Sequence, residues 1–461
     1  MRAVLIRVSI SFLLSVSCLD VDFEQVDRKP IDKQVSFHNV YELDDQVGEW
    51  WSTFANDELR SLIQQAYSNS PSLLEALNRL ERLGYNRNIA ESAKRPSLSG
   101  NASSTSTNLL DDQTPNSEGY EAGVALKYEL DLWGRLRAKV MVEELNYQAN
   151  REDLEFLKMS LESEVALSWL TVLEARERLM LLKRQLEIQD NNLELIELRY
   201  AQGLATSLDV NDQRGNVLSL KAQFAEVRGD ESLGLNKLAL LLGQNRADFQ
   251  GVETQFIPKG VIAPELGLAG DLMNRRPDLR ASQMRLQALA GNVFIAEKAW
   301  YPQIDFSLNI TTEAIRVNDL LEDWFGRLVS SVSAPLYDGG LREAELEQAK
   351  LRIQEELHVY RRLVLEAFHE IENALVSRQL IKEQELLKQE ELEVSQVSVD
   401  LSRRRFVNGE DDYLSVIINE NRKNNVELSQ LSLRAFKKRQ ELSLFRATGG
   451  SLADQQGSKN E

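Results

Sequence analysis

One spacing, 206 residues, constrains this chain more than any other feature. Tyr200, Gly203, Leu208 and Val210 are followed at that offset by Phe406, Gly409, Leu414 and Val416. The same offset places Pro71, Leu73, Arg79, Asn86, Ala90, Glu91 and Pro96 against Pro277, Leu279, Arg285, Asn292, Ala296, Glu297 and Pro302. Gly134 returns as Gly340 and Gly243 as Gly449. A gap-free offset kept across loops means a duplicated unit, which must be identified before any other element is read.

Each copy runs helix, extended region, very long helix, break, long helix. Residues 135–202 and 341–408 contain neither Gly nor Pro, so each can form a rod of about 100 Å at ~1.5 Å per residue. In the first rod Val165, Val172, Leu179, Leu186, Leu193 and Tyr200 recur every seven residues, seconded by Ala175, Leu182 and Ile196. That period predicts a seam against neighbouring helices, as in a coiled coil. The expected units are a first repeat over 57–249, with strands near 97–132 and helices near 134–202 and 206–242. A connector over 250–264 follows. The second repeat covers 265–449, with strands near 303–337 and helices near 340–408 and 411–446. Residues 18–56 read as an extended N-terminal segment and 450–461 as a polar, disordered tail.

The extended regions alternate. Tyr120, Ala122, Val124, Leu126, Tyr128, Leu130 and Leu132 interleave with polar or small residues, as do Ile304, Phe306, Leu308 and Ile310. Period two predicts strands with one apolar and one polar face. Four strands cannot close a barrel, and open edges are not tolerated in lipid. Either the sheet is soluble and packs on the helices, or three protomers supply twelve strands to one closed barrel. No stretch approaches the ~20 apolar residues of a spanning helix, so any crossing is by strands.

The formal charge of −18 argues against a nucleic-acid surface. His38, His358 and His369 are not clustered as metal ligands would be, and GxSxG, P-loop, HExxH and paired-Cys motifs are absent. The expectation is a protein that is not an enzyme and holds no metal or cofactor. Arg2, Arg7 and the apolar run Val8–Leu14 form a short export signal over 1–17, ending at the only cysteine, Cys18. This resembles a bacterial lipoprotein signal in which Cys18 is acylated, although Leu14 lies one place too early for the usual pattern. An ordinary cleaved signal is the alternative.

Several stretches resemble the TolC-like outer-membrane efflux family, in its OprM-like lipoprotein branch. They are "WWSTFANDELRSLIQQAYSNSPSL" (50–73), "YELDLWGRLR" (128–137), "RRPDLRASQMRL" (275–286), "APLYDGGLR" (334–342) and both helix breaks. The resemblance implies a membrane β-barrel plus a long α-helical barrel. In it a homotrimer forms a twelve-stranded barrel in outer-membrane lipid and a twelve-helix periplasmic tunnel. It implies a passive conduit served by a periplasmic adaptor and an inner-membrane pump of the resistance-nodulation-division (RND) type. The runner-up is a periplasmic adaptor, which normally has one helical hairpin where this chain has two.

By the same resemblance the breaks lie at the periplasmic tip, with the gate in the second. The residues implicated are Tyr200, Asp209, Phe406, Asp411, Asp412, Tyr413, Leu414 and Ile418. Leu414 matches a constriction Leu of the family, whereas Ile418 stands where the family has Asp. Arg403, Arg404 and Arg405 are candidates to pair with the acidic turn. From turn chemistry alone, Gly203 and Gly409 end helices, and Ser207, Asp411 and Asp412 cap the next ones.

Overall fold

The computed structural model describes residues 57–107, 117–258 and 275–449. The expected signal, Cys18, the segment 18–56, residues 259–264 of the connector and the tail 450–461 lie outside them. Among the described residues no helix is long and apolar enough to cross a membrane.

In chain order the first copy holds α1 (Asp57–Asn69), α2 (Pro71–Ser92), β1 (Ser97–Thr107), β2 (Ser117–Glu129), α3 (Arg135–Ala201) and α4 (Ser207–Leu241). The second holds α5 (Pro277–Lys298), β3 (Gln303–Ala314), β4 (Phe325–Ser333), α6 (Leu341–Val407) and α7 (Tyr413–Ala447). Every boundary of α2, α3 and α4 recurs 206 residues later in α5, α6 and α7. Pro71 and Pro277 each open a helix, where the missing N–H costs nothing. The rods α3 and α6 have 67 residues each, and α4 and α7 have 35 each.

The strands form one antiparallel sheet in the order β1-β2-β3-β4, so the central pairing joins the two copies. Its register aligns Leu98, Leu126, Leu308 and Leu328 in one row across all four strands. Tyr128 opposite Phe306 and Val124 opposite Ile310 share that face. The other face carries Lys127, Ser307, Asn309 and Arg327. Leu98 and Leu328 are exposed, as is every residue of β4, so no helix among the described residues covers these ends of the apolar row.

The main core lies away from the sheet, where α1, α3, α4 and α7 meet around the fully buried Trp169. The Trp169 indole donates to the Glu58 carboxylate at 3.1 Å, which also accepts the Thr254 N–H. Arg176 donates to the carbonyls of Val252 and Thr254, so the segment after α4 is strapped along α3. The buried Arg276 pairs with Asp278 and Glu370, both at 2.7 Å, which fixes α5 on α6.

The heptad seam is only half as expected. Leu182, Gln189 and Ile196 stay buried toward the tip, but Tyr200 is exposed and Leu186 and Leu193 are only partly covered. The surviving column lies in the groove between two helices. Leu182 packs with Val227 of α4 and Leu428 of α7, and Ile196 with Val210 of α4 and Ile417 of α7. Gln189, between them, accepts from Gln213 of α4 and donates to Asn421 of α7. The Val165–Tyr200 column starts fully buried in the main core at Val165 and Val172, and turns outward from Leu186 to Tyr200.

Candidate functional site at the helix tips

Both breaks are tight left-handed turns. Gly203 and Gly409 have φ of +73° and +74°, a conformation that glycine adopts without the Cβ penalty. The Leu204 and Glu410 N–H groups donate back to the Arg199 and Arg405 carbonyls, satisfying groups that the helix ends would otherwise orphan.

The caps that follow differ between copies. In the first turn Thr206, not Ser207, caps α4: its backbone is extended, whereas Ser207 is already helical. Thr206 and Asp209 form a reciprocal capping box, with the Asp209 carboxylate accepting the Thr206 N–H at 2.7 Å. That N–H, and then the Thr206 hydroxyl, hold the Asp209 carboxyl below its usual range. In the second turn Asp412 occupies the cap position but its side chain makes no capping bond. Asp411 works instead, accepting the Asp412 N–H at 2.8 Å and the Ser415 hydroxyl at 3.0 Å, with Arg405 at 3.7 Å. The Asp412 N–H and then the Ser415 hydroxyl keep the Asp411 carboxyl below its usual range.

Between the turns lies a small core of Ile196, Val210, Tyr413, Val416 and Ile417, with Phe406 packed against it. The Phe406 and Tyr413 rings lie 4.9 Å apart, and the Arg199 guanidinium sits 5.1 Å over Phe406. This core joins the first hairpin to the second. Tyr200 lies outside it, half exposed.

A polar chain continues from it. The Tyr413 hydroxyl donates to Asn192 Oδ1 at 2.5 Å, and Asn192 Nδ2 donates to Glu420 at 2.8 Å. Glu420, 6% exposed, accepts two bonds from Arg403, at 2.6 and 3.1 Å. Burial, and then the Glu420 charge, push the Tyr413 phenol up to about 12. Three helices, α3, α6 and α7, are thereby tied together.

Of the three arginines expected to pair with the acidic turn, Arg405 reaches Asp411 and Arg403 goes to Glu420 instead. Arg404 forms no ion pair among the described residues. Glu420 and Asn192 were not singled out from sequence. Nothing in their spacing identifies them, because the partners lie 17 and 228 residues apart.

Leu414 and Ile418, one turn apart on α7, point away from all of this. They are 48% and 53% exposed, while their neighbours Tyr413, Val416 and Ile417 are buried. Among the described residues, no group of three or more His, Cys, Asp or Glu side chains is placed to hold a metal.

The family described as outer membrane efflux protein matches residues 62–244 and again 268–450, and these two matches are themselves 206 residues apart. The pyoverdine export outer membrane protein OpmQ of Pseudomonas aeruginosa is 28% identical over 422 residues, covering 89% of both chains. The cation efflux system protein CusC of Escherichia coli is 24% identical, over 88% of this chain and 89% of that one. Among solved structures, CusC superposes with a TM-score of 0.82 at 23% identity, over 90% of this chain and 96% of that one. The outer-membrane channel OprN gives 0.82 at 24% identity, over 92% and 96%. At these identities the structural likeness shows the fold.

Proposed function

The chain belongs to the outer membrane efflux protein family, and from that premise we propose that it is the passive outer-membrane conduit of a tripartite efflux system, closed at its helix tips. The carrying observation is the sheet. A row of four leucines lies on one face of four strands whose two edges, β1 and β4, are unpaired among the described residues. Unpaired edges are costly in lipid, whereas three copies joined edge to edge make a closed barrel of twelve strands. Strand lengths of 9 to 13 residues suit the ~9–11 that a tilted spanning strand needs.

On this reading the polar sheet face lines water and the leucine row meets lipid. The α3–α4 and α6–α7 hairpins form the periplasmic tunnel, and a homotrimer brings six turns around one aperture. Leu414 and Ile418, exposed on a single protomer, face the axis, and Leu414 narrows it. A tube without a nucleotide site stores no energy. Direction then comes from an inner-membrane pump, of the RND type by family likeness, through a periplasmic adaptor. Cys18 carries the lipid anchor.

Planar-bilayer conductance tests this reading. The purified protein is expected to conduct weakly, and Leu414→Ala to conduct severalfold more. Equal conductance would remove Leu414 from the gate, and no conductance from either protein would overturn the channel itself. The net charge of −18 and the acidic second turn further predict cation preference. A salt gradient should give a cation-selective reversal potential, and an anion-selective sign refutes this.

A further inference from the structure

A cavity of about 440 Å³ lies at the base of the sheet, between the start of α3, the end of α5 and the start of α6. Four cations line it: Arg135, Lys139, Arg342 and Arg352. Arg135 and Arg342 each hold one carboxylate, Glu129 and Asp338, both at 2.6 Å. Lys139 and Arg352 form no ion pair among the described residues, and Glu345 is the one carboxylate in the lining. The cavity is therefore net positive. Partial burial, and then repulsion from Arg135, lower the Lys139 pKa, and a bound anion would offset the repulsion.

The charge is not a by-product of the duplication. At the 206-residue offset Arg135, Lys139, Arg342 and Arg352 correspond to Leu341, Glu345, Leu136 and Asn146. No cation is matched by a cation, so the cluster is specific to this groove.

Its level is marked by aromatic residues. Trp133, Trp300 and Tyr301 are all exposed just below the strand ends Glu129 and Gln303. Trp133 donates to the Pro302 carbonyl at 2.6 Å and packs 5.1 Å from Tyr301, over whose ring Lys298 lies at 4.4 Å. Trp324 and Phe325, also exposed, mark the far end of β4. Aromatic girdles at the two ends of barrel strands sit at the headgroup levels of a bilayer. Basic pockets at such a level recognise anionic headgroups.

We propose that this cavity binds the phosphate headgroup of an anionic phospholipid in the periplasm-facing leaflet, with Lys139 and Arg352 as the discriminating contacts. The inference rests on the reading of the sheet as part of a membrane barrel. Arg135 and Arg342, already fixed by their carboxylates, shape the wall. The lipid would brace the junction where the strands hand over to the two rods.

The test uses the full-length protein, purified in detergent and offered phosphatidylglycerol or phosphatidylcholine with identical acyl chains. Bound lipid is counted by native mass spectrometry. Phosphatidylglycerol should be retained in clear preference, and Lys139→Gln combined with Arg352→Gln should lower its retention about tenfold. The charge-keeping pair Lys139→Arg and Arg352→Lys should retain it. Excess inorganic phosphate should not displace the lipid; complete displacement would make this a small-anion site and overturn the assignment. Equal retention of the two lipids by the unsubstituted protein also overturns it, and needs no variant to fold. A protein that conducts in bilayers yet shows no lipid preference sinks this inference alone. One that never conducts sinks the barrel reading beneath it.

Discussion

Gly243→Ala is expected to leave little folded protein, whereas Gly203→Ala should cost only about 1–2 kcal/mol. Both glycines end a helix at nearly the same φ, +67° and +73°. The left-handed penalty for a side chain is therefore common to the two. What differs is the surroundings. A Cβ at Gly243 would lie 2.2 Å from the Asn69 carbonyl oxygen, where α1 ends, whereas at Gly203 nothing is within 4 Å. The obstacle is backbone, held by fully buried Leu242 on one side and buried Leu73 on the other, so neither chain can give way without opening the main core. Gly449 repeats the arrangement against Arg275, at 2.8 Å. The apparent unfolding temperature of the purified variants and their yield in outer membranes check this. Matching values for Gly203→Ala and Gly243→Ala would show that the α1 corner is slack and the close approach unimportant.

Glu420→Ala is expected to open the tip more than Leu414→Ala does. On the proposed reading Leu414 narrows an aperture, whereas Glu420 holds α7 against α3 through Asn192 and against α6 through Arg403. Removing one partner of a charge-assisted hydrogen bond costs about 1.5–3 kcal/mol. The Arg403 end deserves a discount, because its side chain is half exposed and regains water. What remains corresponds to about a tenfold shift in the ratio of closed to open tips. Glu420→Gln keeps an acceptor for both partners without the charge and should fall between. Single-channel recording reads the effect as open probability. If Glu420→Ala gates like the unsubstituted protein, this polar chain is scaffold and not a latch.

Much of the fold could be read from the sequence because its signals are periodic. The 206-residue offset, the alternation around Leu126 and Leu308, and the absence of Gly and Pro from two 67-residue rods all survive without tertiary information. The tip chemistry could not be read that way. The carboxylate missing at Ile418 is present two residues on, at Glu420. Two residues turn a helix by about 200°. The charge thus faces the first hairpin and not the side exposed by Leu414 and Ile418. A positional match registers a lost Asp; only packing shows where a charge points. The same limit applies to Gln189, a polar residue in an apolar column, which becomes legible once Gln213 and Asn421 are seen on either side of it. Thr206 replaced Ser207 as cap for a simpler reason: both residue types cap helices, and one residue of helix phase decides between them.

The equality of the paired helices has a consequence for how such a chain can change. α3 and α6 begin and end in step, as do α4 and α7, so both hairpins reach the same height above the sheet. Inserting or deleting a turn in one rod would leave its tip stranded about 5 Å above or below its twin. The shared tip core of Ile196, Val210, Tyr413 and Val416 would then lose its register. Length is in effect inherited twice. Substitutions can accumulate separately in each half, as the two unlike caps and the unlike cations at the sheet base illustrate, while a change of length must be made in duplicate to be kept.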